Sequence, residues 1–265
     1  MVSKEHREYL LRLKRRKRTK TAWQLLLLAA FFALWEGLTA CGVINPFIFS
    51  SPSRCVHTLF SLWQDGLARH IGVTLWETLA GFAIGSVFGI LIAAFLWWCP
   101  LAREVLDPYL VVLNSLPKIA LGPVIIVWVG AGVGSIITVT LLISIVVAIM
   151  GVLNGFCEVE EDKLTLLKTF GASKSQLFFR VVFPASLPTT VSVLKLNIGM
   201  SWVGVIVGEF LNSKAGLGYL IVYGGQVFKM DIVMASTLVL CLLSAGMYLS
   251  VVYLESALRR AREKR

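Results

Sequence analysis

Apolar runs of about bilayer length dominate this sequence and leave it few ways to fold. They fall at about 22–40, 71–98, 105–129, 135–155, 187–210 and 232–254. Each is near the roughly 20 residues that cross a hydrocarbon core as a helix. Only 15% of the 265 residues are charged and 57% are hydrophobic, whereas a soluble domain carries about 25% charged residues. The reading is an all-α membrane protein with six transmembrane helices. The third run contains Pro108, Pro117 and Pro123. Prolines free backbone carbonyls that neighbours must satisfy, so this span is expected to be kinked and packed inside a bundle. Asn45-Pro46 and Ser51-Pro52-Ser53 precede a short surface helix over about 53–66. The segment with Gly216, Gly218, Gly224 and Gly225 reads as a loop.

Charge orients the chain. An even number of spans puts both termini on one side, and that side carries nineteen Lys and Arg residues. They are the basic stretch from Lys4 to Lys20, Arg103, the group Lys163, Lys168, Lys174 and Arg180, and the tail from Arg259 to Arg265. The opposite loops hold four: Arg54, Arg69, Lys214 and Lys229. The positive-inside bias therefore places both termini in the cytoplasm. A basic segment beside a span is an anchor to the lipid surface rather than a nucleic-acid site. A secretory signal peptide is the rival for the first segment, since Leu-Thr-Ala-Cys at 38–41 resembles a lipoprotein cleavage site. The long basic region, the interruption Trp35-Glu36-Gly37 and the further spans weigh against cleavage.

The five cysteines are scattered singly, with no CxxC pair, and the three histidines are far apart, so no metal site is indicated. Cys41 and Cys55 both fall near the outer face, where a disulfide is conceivable; unpaired apolar residues are the plainer reading. No phosphate-binding GxxxxGK[ST] occurs, because GASKS at Gly171 lacks the spaced upstream glycine. The chain does not hydrolyse ATP on this reading, and no catalytic residue is assigned.

One long polar interruption stands between the fourth and fifth runs. An acidic preface, Glu158, Glu160, Glu161 and Asp162, leads into KTFGASKSQLFFRVVFPASLP from Lys168 to Pro188. Leu164, Leu167, Phe170, Leu177 and Phe178 recur near helical spacing, which predicts an amphipathic helix broken at Gly171. Such a helix lies flat on lipid or fills a groove on a partner, and spacing leaves both open.

Gly171-Ala172, then Val181-Val182-Phe183-Pro184, then Pro188 resemble the signature of binding-protein-dependent ABC transporter permeases. SLPKIALGPVIIVWVGAG (115–132), SWVGVIVGEFL (201–211) and AGLGYLI (215–221) resemble the branch that handles nitrate, sulfonates, taurine and pyrimidine precursors of thiamine. The chain departs from the pattern at 165–167, where Thr165-Leu166-Leu167 replaces Glu-Ala-Ala. The resemblance implies a type I importer-like permease, with a basic N-terminal segment at 1–21, the transmembrane domain at 22–265 and a coupling loop at about 156–187. It implies a second copy of this chain, two cytoplasmic ATPase subunits that use ATP and Mg, and an external solute-binding protein. In that frame the ATPase is met by Leu164, Thr165, Leu167, Lys168, Phe170, Gly171, Ala172, Gln176, Phe178 and Pro184.

Candidates for the solute pathway are Asn114 and Ser115 in the proline-rich run, and Lys195, Asn197, Ser201, Trp202 and Glu209 in the fifth. Lys195 and Trp202, seven apart, share a helix face. Intramembrane ionisable groups point to function, although Lys195 can instead snorkel to the headgroups, and Lys118 is equally ambiguous. Glu36, Glu77 and Glu209 fall near outer span ends, where capping, solvation or an external protein are alternatives. Trp97 and Trp98 read as interfacial anchors. An ion-driven transporter is the rival function, but it calls for repeated halves and mid-membrane carboxylates. A membrane enzyme lacks any catalytic constellation.

Overall fold

In the computed structural model the backbone is described for residues 4–263 and the side chains for most of 15–256. The basic side chains of Lys4 to Lys14, Lys17 and the tail from Arg259 lie outside the described residues. Helix α1 (Lys4–Ala40) runs unbroken from the basic segment into the first apolar run. Helix α2 (Pro52–Gln64) follows Ser51, whose hydroxyl accepts the Arg54 N–H. Glu36 of α1 completes that cap by accepting the N–H and the hydroxyl of Ser53, so capping is the role its position fulfils.

Three long helices form the centre: α3 (Leu67–Trp98), α6 (Val133–Cys157) and α8 (Phe183–Asn212). Between α3 and α6 lies a broken segment, with α4 (Pro100–Ser115) followed by a 3₁₀ turn at Lys118–Leu121 and α5 (Gly122–Val129). The kink expected of the third run is an 85° bend, centred on Leu116-Pro117. Proline removes a backbone donor and pushes its predecessor out of the helical region, and Leu116 is extended at ψ 142. The described residues give five helices long and apolar enough to cross a membrane, and six if the bent pair is one span.

The centre is held by small residues in register. On α3, Gly81, Gly85 and Gly89 step every four residues along Thr140, Ser144 and Ala148 of α6. A Cβ on any of the three glycines would come within about 2.6 Å of those side chains. On the other flank α8 runs antiparallel to α6, with Gly204 over Thr140, Gly208 over Ile136, Val193 over Gly151 and Thr189 over Gly155. Helices in lipid associate through such close backbone approach, because the hydrophobic effect that drives packing in water is absent there. Asn197 of α8 reaches across to Ser86 of α3, its Nδ2 donating over 3.0 Å in a buried setting.

The glycine-rich stretch expected to be a loop is instead helix α9 (Leu217–Gln226), with Leu217, Gly218, Leu220 and Gly224 buried. Its glycines admit neighbours: Gly218 backs onto Glu209, and Gly224 onto Val233 of α10 (Met230–Glu263). Arg54 on α2 pairs with Asp231 at the start of α10, Nη2 to Oδ2 2.9 Å. Cys41 is exposed and Cys55 is buried, and both thiols are free. Burial pushes the Cys55 thiol up, which keeps it protonated and inert beside Ser50.

Candidate functional site

The polar interruption folds into one short helix, a turn at Gly171, and the first turns of a helix that runs on through Phe178–Val182 into α8. Helix α7 (Glu161–Thr169) has Glu161 and Asp162 in its first turn and Lys168 in its last, charges that complement the helix dipole. It stops at Gly171, which takes φ 79°, a conformation that costs a side-chain-bearing residue. The Ala172 N–H donates to the Leu167 carbonyl at 3.1 Å and the Gly171 N–H to the Lys168 carbonyl at 2.9 Å, a Schellman closure. One turn later Lys174–Leu177 is opened by a capping box, with Ser173 and Gln176 satisfying each other's backbone. The predicted break at Gly171 is therefore a fixed corner.

The two faces of this corner differ. Leu177 and Phe178 are buried, and Phe178 lies 5.0 Å from the rings of both Trp97 and Trp98 and 5.4 Å from Phe156. Lys174 donates to the Trp98 carbonyl at 2.6 Å, with its ammonium 6.0 Å above the Trp97 ring. The tryptophans thus serve as a socket for the loop at the end of α3. Thr165, Lys168 and Phe170 point away from the bundle, Phe170 with 80% of its surface exposed, while Leu164, Leu167 and Ala172 are half-buried. Pro184 directly follows the π-helical stretch Phe178–Val182 that joins Lys174–Leu177 to α8, where its missing N–H interrupts the regular helical ladder. Of the ten coupling candidates, Phe178 and Gln176 hold the corner in place, and Phe170 is its projecting tip.

The opposite end of the bundle brings together residues from three helices. Glu77 of α3 and Glu209 of α8 are each 1% exposed. Of the three alternatives for these carboxyls, burial rules out solvation and an exposed docking end, and Glu209 takes the third by capping α9. Glu209 Oε1 accepts from the Thr74 hydroxyl at 2.6 Å and its Oε2 from the Gly218 N–H at 2.5 Å. Thr74 Oγ1 also accepts the Leu217 N–H at 2.8 Å, and His70 Nδ1 accepts the Gly216 N–H at 3.0 Å. Helix α9 therefore has no cap of its own and borrows one from α3 and α8.

The remaining pathway candidates divide by exposure. Asn197, Ser201 and Trp202 are buried where α8 meets the centre of the bundle. Lys195 pairs with Glu255 of α10, Nζ to Oε2 2.8 Å, with side chains 20% and 15% exposed. Asn114 and Ser115 lie exposed at the 85° bend, where Lys118 Nζ approaches Asn114 Oδ1 at 3.5 Å. Removing one partner of a shielded ion pair leaves the other charge uncompensated. Lys195→Ala is therefore expected to lower stability by on the order of 3 kcal/mol, read as thermal unfolding in detergent. The double exchange Lys195→Glu with Glu255→Lys should recover most of it.

Residues 85–260 match the family described as the binding-protein-dependent transport system inner membrane component. The chain belongs to this family. The permease is 31% identical over 234 residues to a protein of Haemophilus influenzae described as a probable ABC transporter permease, covering 87% of this chain and 94% of that one. It is 29% identical over 204 residues to the formylaminopyrimidine transport permease protein ThiX of Halalkalibacterium halodurans, covering 76% and 81%. Against the taurine transport system permease protein TauC of Escherichia coli it is 23% identical over 223 residues, covering 82% and 81%. Its fold matches a chain of the inward-facing MetNI methionine ABC transporter at TM-score 0.65 and 18% identity, over 72% of this chain and 95% of that one.

Sequence reasoning missed Thr74, His70 and the Glu77–Glu209 contact. No local pattern joins residues more than 130 positions apart, although GEFL followed by AGLGYL places Glu209 and the α9 glycines close in sequence.

Proposed function

We propose that this permease is one of two identical membrane subunits of an ATP-driven bacterial importer, set in the plasma membrane with both termini cytoplasmic. Residues 22–265 form the transmembrane domain behind a basic segment at 1–21. The loop at about 156–187 docks on one of two cytoplasmic ATPase subunits, which use ATP and Mg, so the permease binds no cofactor or metal and catalyses nothing itself. An external binding protein delivers the solute, of the nitrate, sulfonate, taurine or pyrimidine-precursor class; relatives named for formylaminopyrimidine, aliphatic sulfonates and taurine support the last three.

The observation that carries this reading is the exposed Phe170 tip on a rigid polar corner. An apolar side chain raised on a braced loop is suited to a groove on a partner, as in helix-in-groove recognition. Leu164, Thr165, Leu167, Lys168, Gly171 and Ala172 shape that surface.

The bend at Leu116-Pro117 supports a second copy. Broken helix at membrane depth is tolerated only against protein or a water-filled cavity, and Asn114 and Ser115 are exposed there in a single chain. These two line the pathway directly. Lys195, Asn197, Ser201, Trp202 and Glu209 act on it by setting how α8 packs.

The test is to purify the tagged permease gently from its native membrane, crosslink, and identify what accompanies it. Two copies of the permease with an ATPase in one-to-one ratio is the expected result. A chain that stays single and moves solute under an ion gradient would overturn it.

A further inference from the structure

The buried carboxyls of Glu77 and Glu209 have a chemistry that packing alone leaves unexplained. Glu209 is surrounded by donors: the Thr74 hydroxyl on one oxygen, the Gly218 N–H on the other, and the Tyr219 N–H beside them. Donors on both oxygens favour the ionised form of this carboxyl over that of its neighbour. Glu77 is equally buried and stands one turn beyond Thr74 on the same face of α3, the face that meets Glu209 through the 2.6 Å Thr74 bond, and its Oε2 has no donor from the protein. Two ionised carboxylates have no hydrogen to share, so a hydrogen bond between them requires a proton.

No cation relieves the pair among the described residues. The ion pairs there are Arg54–Asp231, Lys163–Glu160 and Lys195–Glu255. From α3 the other titratable neighbour is His70, held on Gly216. From α9 it is Tyr219, stacked on His70 at 5.9 Å. The buried polar side chains of α6 are uncharged hydroxyls, Ser135, Thr140 and Ser144. Gly216 and Gly218 press against the Glu209 carboxyl so closely that a Cβ on either would collide with it. That leaves little room for a hydrated ion.

We propose that Glu77 and Glu209 form a proton-binding site, with the proton carried on Glu77 and donated to Glu209, and that this bridge latches the start of α9 onto α3 and α8. Without the proton, two like charges face each other in a medium of low dielectric and repel. The latch opens, and the first-turn N–H groups of α9 lose their acceptors. The inference concerns this chain alone and stands or falls independently of the transport reading.

The assignment is asymmetric, which makes it testable. A glutamine at 77 donates its amide N–H to Glu209 as the protonated acid does, so Glu77→Gln should keep the wild-type unfolding midpoint. A glutamine at 209 must turn its amide nitrogen toward one of the groups that now donate to Glu209. Glu209→Gln should therefore lower the midpoint by about 4–8 °C.

The direct measurement is infrared spectroscopy of the full chain in lipid at neutral pH. It should show the carbonyl stretch of a protonated carboxylic acid, shifting in D₂O and lost in Glu77→Gln. Absence of that band from the wild type, its persistence in Glu77→Gln, or failure of Glu77→Gln to fold would each overturn the proposal. So would a midpoint raised by sodium or calcium in a protein lacking the band, which would make the bridge a metal cation.

Discussion

Phe170→Asp should leave the permease folded in its membrane and reduce its affinity for the ATPase by at least about 30-fold, since 1.4 kcal/mol is tenfold and buried aromatic anchors contribute 2 kcal/mol or more. The first half follows from exposure. Phe170 has 80% of its surface free, so replacing it removes little packing, and surface changes of this kind stay within about 0.5 kcal/mol. The second half follows from what a charge does in an apolar groove: it must be dehydrated on docking with nothing to pair it. Pull-down with purified ATPase reads the affinity, and the unfolding midpoint confirms the fold. Phe178→Asp provides the contrast. Its ring is enclosed by Trp97, Trp98 and Phe156, so it should lower the midpoint as well as docking. Gly171→Val acts through geometry: nothing crowds the position, but φ 79° strains a β-branched residue and swings the tip away. Wild-type ATPase affinity in Phe170→Asp would remove the loop from the coupling role.

How much of this was legible depended on the range of the interaction that decides each feature. Span positions follow from local apolarity, and the corner at Gly171 from helical spacing that stops at a glycine; both are properties of neighbours in sequence. The third run was legible as kinked from Pro108, Pro117 and Pro123, but not as an 85° turn, because the size of a bend depends on what packs either side of it. The glycines of 216–225 misled for the same reason. Glycine lowers helix propensity in water, yet here Gly218 and Gly224 make room for Glu209 and Val233, and packing decides. Glu77 and Glu209 read as span-end carboxylates because apolarity along one helix is blind to a third helix lying over its end. One signal was present and unread: Gly81, Gly85 and Gly89 form a GxxxGxxxG run, the pattern of close helix approach.

That seam supports a prediction in which the same substitution has opposite outcomes at two positions of one helix. Gly204→Ala should destabilise by about 1–3 kcal/mol, the usual cost of overpacking. Gly199→Ala, five residues away on α8, should be neutral or gain up to about 1 kcal/mol from helix propensity. The difference is what a new methyl meets: nothing within 4 Å at Gly199, but the Thr140 Cα at 2.6 Å at Gly204. Because that obstacle is backbone, no replacement of Thr140 relieves it, and α6 and α8 must separate. Gly81→Ala is the informative comparison, since its methyl would meet the same residue from the α3 side but through the side chain, Thr140 Cγ2 at 2.5 Å. Thr140→Ser deletes that carbon. A double-mutant cycle should therefore show Thr140→Ser rescuing Gly81→Ala and failing to rescue Gly204→Ala, read as unfolding midpoints in one detergent. Equal rescue of both would mean that α6 touches its two neighbours through side chains alone, and the backbone contact between α6 and α8 would have to be abandoned.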